Sequence, residues 1–369
     1  MFRISRIHQV LQLVPRGAFN RIVEEHQADK YTKKFGCWQQ LLAMVYVQLS
    51  GTKSLRELEM GFNAHPNQHY HLGMGAVRRT TLSDANATRN PIVFAELLQL
   101  LIAQAGRSAR KQRKELLYLL DATRVPLGDG AIKLHVLLNA DTEAVAAASI
   151  TPANVNDITE ARKLDIEPAA TYVFDKGYCH YNWWHEIHTT KSRWVTRFRR
   201  DARLNFLGER AVCGDIQRDS IVAFALRNPR GGCRNLYSAP LRRIEVCRPG
   251  KAPLVLATND LRSSASRIAA LYKQRWQIEL LFKWLKQHLQ IRRFVGKNEN
   301  AARIQLLTAL IAYMLVLLLK TQSGFKDSLW MLLAQLRHSL FQRHQTEESY
   351  WRRRKRQQHY INSVQPSLL

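Results

Sequence analysis

Acidic residues are scarce in this sequence. Asp and Glu number 29 against 56 Lys and Arg, so the 369-residue chain carries a net charge of +27 and a pI near 10.3. Such an imbalance opposes compaction by self-repulsion unless a polyanion relieves it. Nucleic acid is therefore the expected partner, ahead of an anionic membrane surface. Cysteines are few. Cys37, Cys179, Cys213, Cys233 and Cys247 form an odd, scattered set without a CxxC pair, which argues against a disulfide framework or a structural zinc site and for a reduced, cytoplasmic protein. A spanning hydrophobic segment is also lacking. The longest apolar run, LLTALIAYMLVLLL at 306–319, falls short of the roughly 20 residues a transmembrane helix needs, so it reads as a buried helix and no membrane partner is expected. The N-terminal stretch MFRISRIHQVLQLVP is interrupted by Arg6, His8 and Gln9, which leaves no apolar core for a signal peptide. Internal repeats and long low-complexity linkers are absent too.

Residues 1–110 read as helical throughout. WQQLLAMVYVQLS (38–50) has helical apolar spacing and a stop at Gly51, and SLRELEMGF (54–62) starts on Ser54 as N-cap. A short helix is expected from near Thr81, with Arg78, Arg79 and Arg89 around it, and a longer one over 92–110. Short helices joined by polar turns bearing arginines suit a helix-turn-helix-like DNA-binding unit, with Arg78 and Arg79 as DNA contacts. An ordinary helical domain with a basic surface is the competing reading.

At 115 the pattern changes. ELLYLLDATRVPL is an apolar run of strand length reaching an aspartate, KLHVLLN (133–139) and VAAASIT (145–151) read as a β-hairpin, ANVNDITEARKL (153–164) as a helix, and ATYVFDKGY (170–178) as a strand ending on a second aspartate. This order predicts an α/β region with a mixed sheet. Residues 191–258 read as a β-rich insertion of short strands, 259–325 as the second part of the α/β core, and 326–369 as a basic tail that includes WRRRKR at 351–356.

Two aspartates and one glutamate carry the chemical signal. Asp121 is expected to close the strand LLYLLD, and Asp175 the strand TYVFD. Both would then lie at the carboxyl edge of the sheet, where open α/β sheets keep their sites. The third carboxylate lies in LYKQRWQIELLFKWLK (271–286). On a helix turning about 100° per residue, Tyr272, Arg275, Glu279 and Lys286 share an arc of roughly 60° beside an apolar stripe of Leu271, Ile278, Leu281, Phe282, Leu285 and Leu289. A solvated face with Glu279 paired to Lys283 is the bland alternative. Three carboxylates suit a pair of Mg²⁺ ions, hard cations that take oxygen ligands and drive in-line phosphoryl displacement. The basic neighbours would then grip an anionic phosphodiester.

Tyr272, Arg275, Glu279 and Lys286 reproduce the spacing of the YREK signature, and with DATRVPL around Asp121, FDKGY around Asp175 and TTLSDAN at 80–86 the chain resembles the DDE transposases of bacterial insertion sequences, specifically the insertion-sequence-4 family. The resemblance covers nearly the whole chain. It implies a ribonuclease-H-like catalytic domain (111–190 and 259–325) interrupted by the β-rich insertion (191–258) and preceded by an α-helical DNA-binding domain (1–110). The separations of 54 and 104 residues between the three carboxylates agree with such an interruption. It further implies Asp121, Asp175 and Glu279 as catalytic ligands of two Mg²⁺ ions, with Mn²⁺ able to substitute, and Tyr272, Arg275 and Lys286 as contacts to the element's end. The implied partners are double-stranded DNA, as terminal inverted repeats and target, and a second copy of the chain in a synaptic homodimer. The implied setting is the nucleoid-associated bacterial cytoplasm, and the implied activity is cut-and-paste transposition. A nuclease or resolvase of the same fold and a non-catalytic domesticated DNA-binding protein are the alternatives; the intact carboxylate set speaks against the latter. Some relatives stack a flipped base on a tryptophan in the insertion. This chain has none between Trp194 and Trp276, which leaves Trp194, Phe224 and Tyr237 as aromatic candidates.

Other polar clusters have simpler readings. His65, His69 and His71 lack a cysteine or carboxylate spaced to complete a zinc site and read as a polar loop. His135 reads as a packed strand histidine, Asp157 as a first-turn helix acid, Asp141 as a turn residue, and WRRRKR as a non-specific DNA contact. The charge also sets a salt dependence. Each phosphate contact should contribute roughly −0.9 to the slope of log K against log salt on duplex DNA, so affinity should fall steeply across a gel-shift salt series. A flat response would exclude nucleic acid as the partner.

Overall fold

The computed structural model describes residues 5–112, 116–128, 130–199, 202–225, 234–291, 294, 296 and 298–342. Its first part is helical: α1 (Arg6–Leu11), α2 (Arg16–Glu25), α3 (Cys37–Ser50), α4 (Leu55–Asn63), α5 (Pro66–Leu72), α6 (Arg79–Thr88) and α7 (Ile92–Gln112). Local chemistry explains the boundaries. α3 stops where Gly51 takes a left-handed conformation (φ 75°), a backbone that side chains disfavour. α4 starts where the Ser54 side chain accepts a hydrogen bond from the Glu57 N–H. α5 corrects an expectation, because the polar stretch around His65, His69 and His71 is a helix rather than a loop. Pro66 starts it, Gly73 ends it in a left-handed conformation, and His69 is buried, stacked on Phe62 at 4.7 Å.

The sheet follows. β1 (Leu117–Leu127), β2 (Gly130–Asn139) and β3 (Val145–Pro152) form an antiparallel meander; α8 (Asp157–Ala161) leads to β4 (Thr171–Phe174), and α9 (Tyr181–Thr189) leads to β5 (Arg193–Arg197). β4 runs parallel to β1, and β5 parallel to β4. Then come β6 (Leu204–Glu209), β7 (Ile216–Phe224), β8 (Leu241–Val246) and β9 (Leu254–Thr258). Among the described residues all nine strands join one sheet in the order β3-β2-β1-β4-β5-β9-β8-β7-β6. Three expectations change here. The helix at 153–164 shrinks to the five residues of α8. β5, assigned from sequence to the insertion, is a parallel member of the central sheet. The rest of the insertion is not a separate β unit either, because β9 pairs antiparallel with β5 and carries the same sheet outward.

Four helices complete the chain: α10 (Ala265–Gln274), α11 (Trp276–His288), α12 (Glu299–Ser323) and α13 (Leu329–Ser339). α13 corrects the reading of 326–369 as tail, since Leu329, Leu332, Leu333 and Leu336 are buried. WRRRKR lies outside the described residues. α12 is long and apolar enough to cross a membrane, yet 83% of its apolar window is buried within the protein. It packs against α3, α6 and α7 on one side and α13 on another. The helical layer, α10–α13 and one face of the sheet (Leu119, Val125, Leu134, Val136) therefore share one continuous hydrophobic cluster. Residues 1–110 consequently do not form a core of their own.

A shared core should melt as one unit. Leu310→Ala, at the centre of α12, removes a buried side chain and should lower stability by about 2–5 kcal/mol. Far-ultraviolet circular dichroism and tryptophan fluorescence should still report coincident transitions. Separate transitions would show that the helical layer is an independent domain.

Candidate active site

The site begins with strand register. β1 and β4 pair in parallel through Leu120 opposite Phe174, so the next residues, Asp121 and Asp175, stand level on neighbouring strands. Leu120 and Phe174 point into the smaller hydrophobic cluster. Side chains alternate across a strand, so both aspartates are directed to the opposite face, where α10 and α11 lie. Asp175 follows the last residue of β4, as expected from sequence. Asp121 does not close its strand, because β1 continues to Leu127 as one arm of the hairpin with β2. What ends at Asp121 is only the parallel pairing with β4.

The segment bearing Glu279 is not one uniform helix. α10 and α11 meet at Arg275, and the ladder tightens there: Arg275 N–H donates to the Tyr272 carbonyl (3.1 Å) and Ile278 N–H to the Arg275 carbonyl (3.2 Å). The expected apolar stripe is buried at Ile278, Leu281, Phe282, Leu285 and Leu289, and Leu271 is half-buried. The functional side chains then turn to the sheet. Tyr272 Oη donates to Asp175 Oδ1 at 3.2 Å. Arg275 Nη2 lies 2.6 Å from Glu279 Oε1, and its Nη1 lies 3.9 Å from Asp121 Oδ2. Glu279 thus pairs with Arg275, four residues before it, and the alternative of a solvated pair with Lys283 is not what forms. Lys286 Nζ donates to Thr123 Oγ1 at 2.5 Å, two residues beyond Asp121 on the same face of β1.

Electrostatics mark the cluster. Burial, reinforced by the Glu279 and Asp175 carboxylates, raises the Asp121 carboxyl to about 6 against the opposing pull of the Ala122 N–H and Arg275. Burial and the Asp175 charge push the Tyr272 phenol up to about 12, which keeps it a donor. Arg275 loses stabilisation of its charge by burial, but its bond to Glu279 and the surrounding charges more than offset this and raise its pKa. The Arg275 Nε is buried without a hydrogen-bond partner among the described residues. Among those residues no three His, Cys, Asp or Glu side chains stand close enough to share an ion, because the Arg275 guanidinium pairs with Glu279 on one side and faces Asp121 on the other. The all-oxygen donor set nonetheless fits a hard divalent cation. The positively charged guanidinium occupies the ground between two of the carboxylates.

Two participants escaped the sequence. Thr123 was visible in principle, since alternation puts it on the face of Asp121. Arg197, whose Nη1 lies 4.0 Å from Asp175 Oδ1, comes from β5 and leaves no local signal. Of the other expected contacts, Arg78 and Arg79 are exposed at the start of α6, and Arg79 lies 3.9 Å from Glu59. Neither enters the described hydrogen bonds and ion pairs of the carboxylate cluster. Arg89 is structural, donating to the Phe35 carbonyl and to Gln40. His135 is buried on the far face and lies 2.9 Å from Thr151 Oγ1. Trp194 and Tyr237 are buried in the smaller cluster and Phe224 is half-buried against it, so none presents an open stacking surface.

Comparisons with known proteins bear on the same residues. Residues 112–315 match the family described as "Transposase DDE domain", and residues 3–75 match a domain of unknown function, DUF4372. A putative transposase, y4zB, of Sinorhizobium fredii is 43% identical over 252 residues, covering 64% of this chain and 69% of the relative. A probable transposase for insertion sequence element IS5377 of Geobacillus stearothermophilus is 25% identical over 245 residues, 61% of this chain and 62% of the relative. The cryo-EM structure of a piggyBac transposase synaptic complex with hairpin DNA superposes with a TM-score of 0.51 at 12% identity, covering 99% of this chain and 86% of that one.

The raised Asp121 carboxyl sets a testable pH dependence. In metal-free protein the folded state holds this proton more tightly than the unfolded chain does. Stability is therefore lost as pH rises from about 4, the unfolded value, through about 6. Asp121→Asn removes that loss. In EDTA it should stabilise the protein at pH 7.5 by at most about 3 kcal/mol and leave it nearly unchanged at pH 4. Calorimetry showing the same difference at both pH values would place Asp121 in a solvated, unperturbed setting.

Proposed function

The chain belongs to the transposase DDE-domain family, and from that premise we propose that Asp121, Asp175 and Glu279 perform its chemistry. As a DNA transposase it cleaves DNA and transfers strands, and its family depends on metal ions. The observation that carries the assignment is the level placement of Asp121 and Asp175 on β1 and β4, with Glu279 brought beside them through Arg275.

In this reading Asp121, Asp175 and Glu279 hold two Mg²⁺ ions, which when bound supply Lewis-acid polarisation and charge neutralisation for phosphodiester displacement. The chain's own residues prepare the site. Tyr272 fixes the orientation of the Asp175 carboxylate by its hydrogen bond. Arg275 restrains Glu279 and brings positive charge beside Asp121. Lys286, seated on Thr123, and Arg197, beside Asp175, add positive charge around the carboxylates. An anionic DNA backbone can then approach a site that is itself anionic. Glu279 would hold a cation only where its carboxylate is released from Arg275.

Finer assignments rest on the signature spacing and the strand order. The spacing of Tyr272, Arg275, Glu279 and Lys286 supports our assignment of the chain to the insertion-sequence-4 group. The run β3-β2-β1-β4-β5, three antiparallel strands then two parallel ones, is the ribonuclease-H-like core, and β6–β9 are its insertion. The helical layer, through Arg78 and Arg79, contacts the terminal inverted repeat, and two copies form the synaptic complex in the bacterial cytoplasm.

The test uses the full chain and a duplex bearing the inverted repeat that flanks the coding sequence. Asp121→Asn, Asp175→Asn and Glu279→Gln should each abolish cleavage and strand transfer in Mg²⁺ or Mn²⁺, while end binding is kept or tightened because a negative charge is removed. Arg275→Ala and Lys286→Ala should weaken end binding before the chemical step is lost. Normal strand transfer by Glu279→Gln would overturn the assignment. A second expectation concerns the helical layer: Arg78→Ala and Arg79→Ala should weaken end binding without altering the metal dependence of cleavage. An unchanged gel-shift affinity would move end recognition elsewhere.

A further inference from the structure

A buried ion pair between two inserted strands also reaches the turn that precedes α10. Arg242, on β8, is 1% exposed and Asp219, on β7, is 2% exposed. Arg242 Nε donates to Asp219 Oδ1 at 2.9 Å and Nη2 to Asp219 Oδ2 at 2.6 Å, a two-point fork. The remaining nitrogen, Nη1, leaves the insertion and donates to the carbonyls of Asp260 (3.0 Å) and Ser263 (2.6 Å). Arg210, after β6, reaches the same turn, with Nη1 donating to the Leu261 carbonyl at 2.8 Å and Nε 3.7 Å from Asp219 Oδ2. Arg242 of β8 and Arg210 just after β6, both beside Asp219 of β7, thus converge on residues 260–263.

That turn leads directly to the site. Asp260 orders it by accepting from the Arg262 N–H (2.8 Å), the Ser263 N–H (2.9 Å) and the Ser263 hydroxyl (2.6 Å). Ser264 then caps α10 by accepting from the Arg267 N–H at 3.2 Å. Behind the turn, Thr258 Oγ1 donates to the Trp194 carbonyl (2.6 Å), and the Asn259 side chain bonds the Trp194 N–H and the Ser192 carbonyl (both 2.9 Å), which fastens the turn to β5. α10 leaves this anchored point bearing Tyr272 and passes through Arg275 to Glu279.

Burying an ion pair is costly, and an apolar pair of similar volume often stabilises a fold as well or better. Stability alone therefore gives little reason for a guanidinium here. Its directional hydrogen bonds do something an apolar pair cannot: they set where the turn sits relative to β7 and β8. We propose that Arg242 and Asp219 are positioning residues through which the insertion sets the placement of α10, and hence of Tyr272, Arg275 and Glu279, against Asp121 and Asp175. The inference rests on the assignment of Glu279 to the chemistry. The insertion is then part of the machinery that aligns the third carboxylate, in addition to whatever it touches outside the sheet.

The test compares Arg242→Met/Asp219→Leu, which replaces the pair by apolar groups, with Arg242→Lys, which keeps charge but loses the fork. Readouts on the full chain are thermal stability, affinity for the flanking-repeat duplex, single-turnover cleavage at saturating DNA and Mg²⁺, and amide exchange by segment. The double variant should fold and bind the duplex like the wild type. Its cleavage should fall by about tenfold or more, as misplacement of a reacting group does, and exchange should accelerate over 265–275 but not in α12. Arg242→Lys should fall between the two. A folded double variant that cleaves like the wild type, or that loses protection equally in α12 and the sheet, overturns the proposal. If the double variant does not fold, Arg242→Lys decides by the same readings. Glu279→Gln serves as the control. Should it cleave normally, the assignment of the site fails, while local exchange over 265–275 still reports whether the ion pair holds α10.

Discussion

Like charges crowded into a half-buried space are the constraint this molecule is built around. Asp121, Asp175 and Glu279 come from a central strand, a strand end and a helix. Burial is the main cause of the raised Asp121 carboxyl, and the Glu279 and Asp175 charges add to it. Two features keep the group together. The β1–β4 register fixes the aspartates level. Arg275, set where α10 gives way to α11, brings positive charge between Asp121 and Glu279. An arginine suits this task because its planar, permanently charged guanidinium can face two carboxylates at once.

The scaffold explains why this arrangement holds despite a net charge of +27. α12 lies at the centre of the continuous hydrophobic cluster and contacts both the N-terminal helices and α13. A long apolar helix that could serve in a membrane instead forms the common wall of the helical layer and the catalytic sheet. On the sheet's other face Tyr172 of β4 and Trp194 of β5 pack in one cluster with Trp183 and Trp184 of α9. The candidate site therefore stands on a sheet packed on both faces.

The inserted strands belong to that layer. β9 pairs with β5, and β8, β7 and β6 extend the sheet outward, so the insertion is continuous with the strands that bear Asp121 and Asp175. Through Arg242 it also meets the turn entering α10. The two routes, sheet pairing and ion pair, converge on the same end of the site.

Residue identity and spacing alone determined a good deal: the three carboxylates, the Tyr272–Lys286 array, the hairpin of β2 and β3, and the buried nature of α12. These are legible because alternation and helical spacing are local properties, and because charged residues stand out in apolar runs. Other features needed the fold. The polar α5 was misread because histidines, asparagine and glutamine outweigh its proline start and glycine stop. β5 read correctly as a strand, but hydrogen-bond partners come from other parts of the chain, and no periodicity says which sheet a strand joins. The same reason hid Arg197 beside Asp175 and Arg242 beside residues 260–263. The sequence by itself determined which groups could do chemistry; only the tertiary structure decided which cation each carboxylate faces, because those pairings depend on contacts between residues as many as 154 positions apart, as for Asp121 and Arg275.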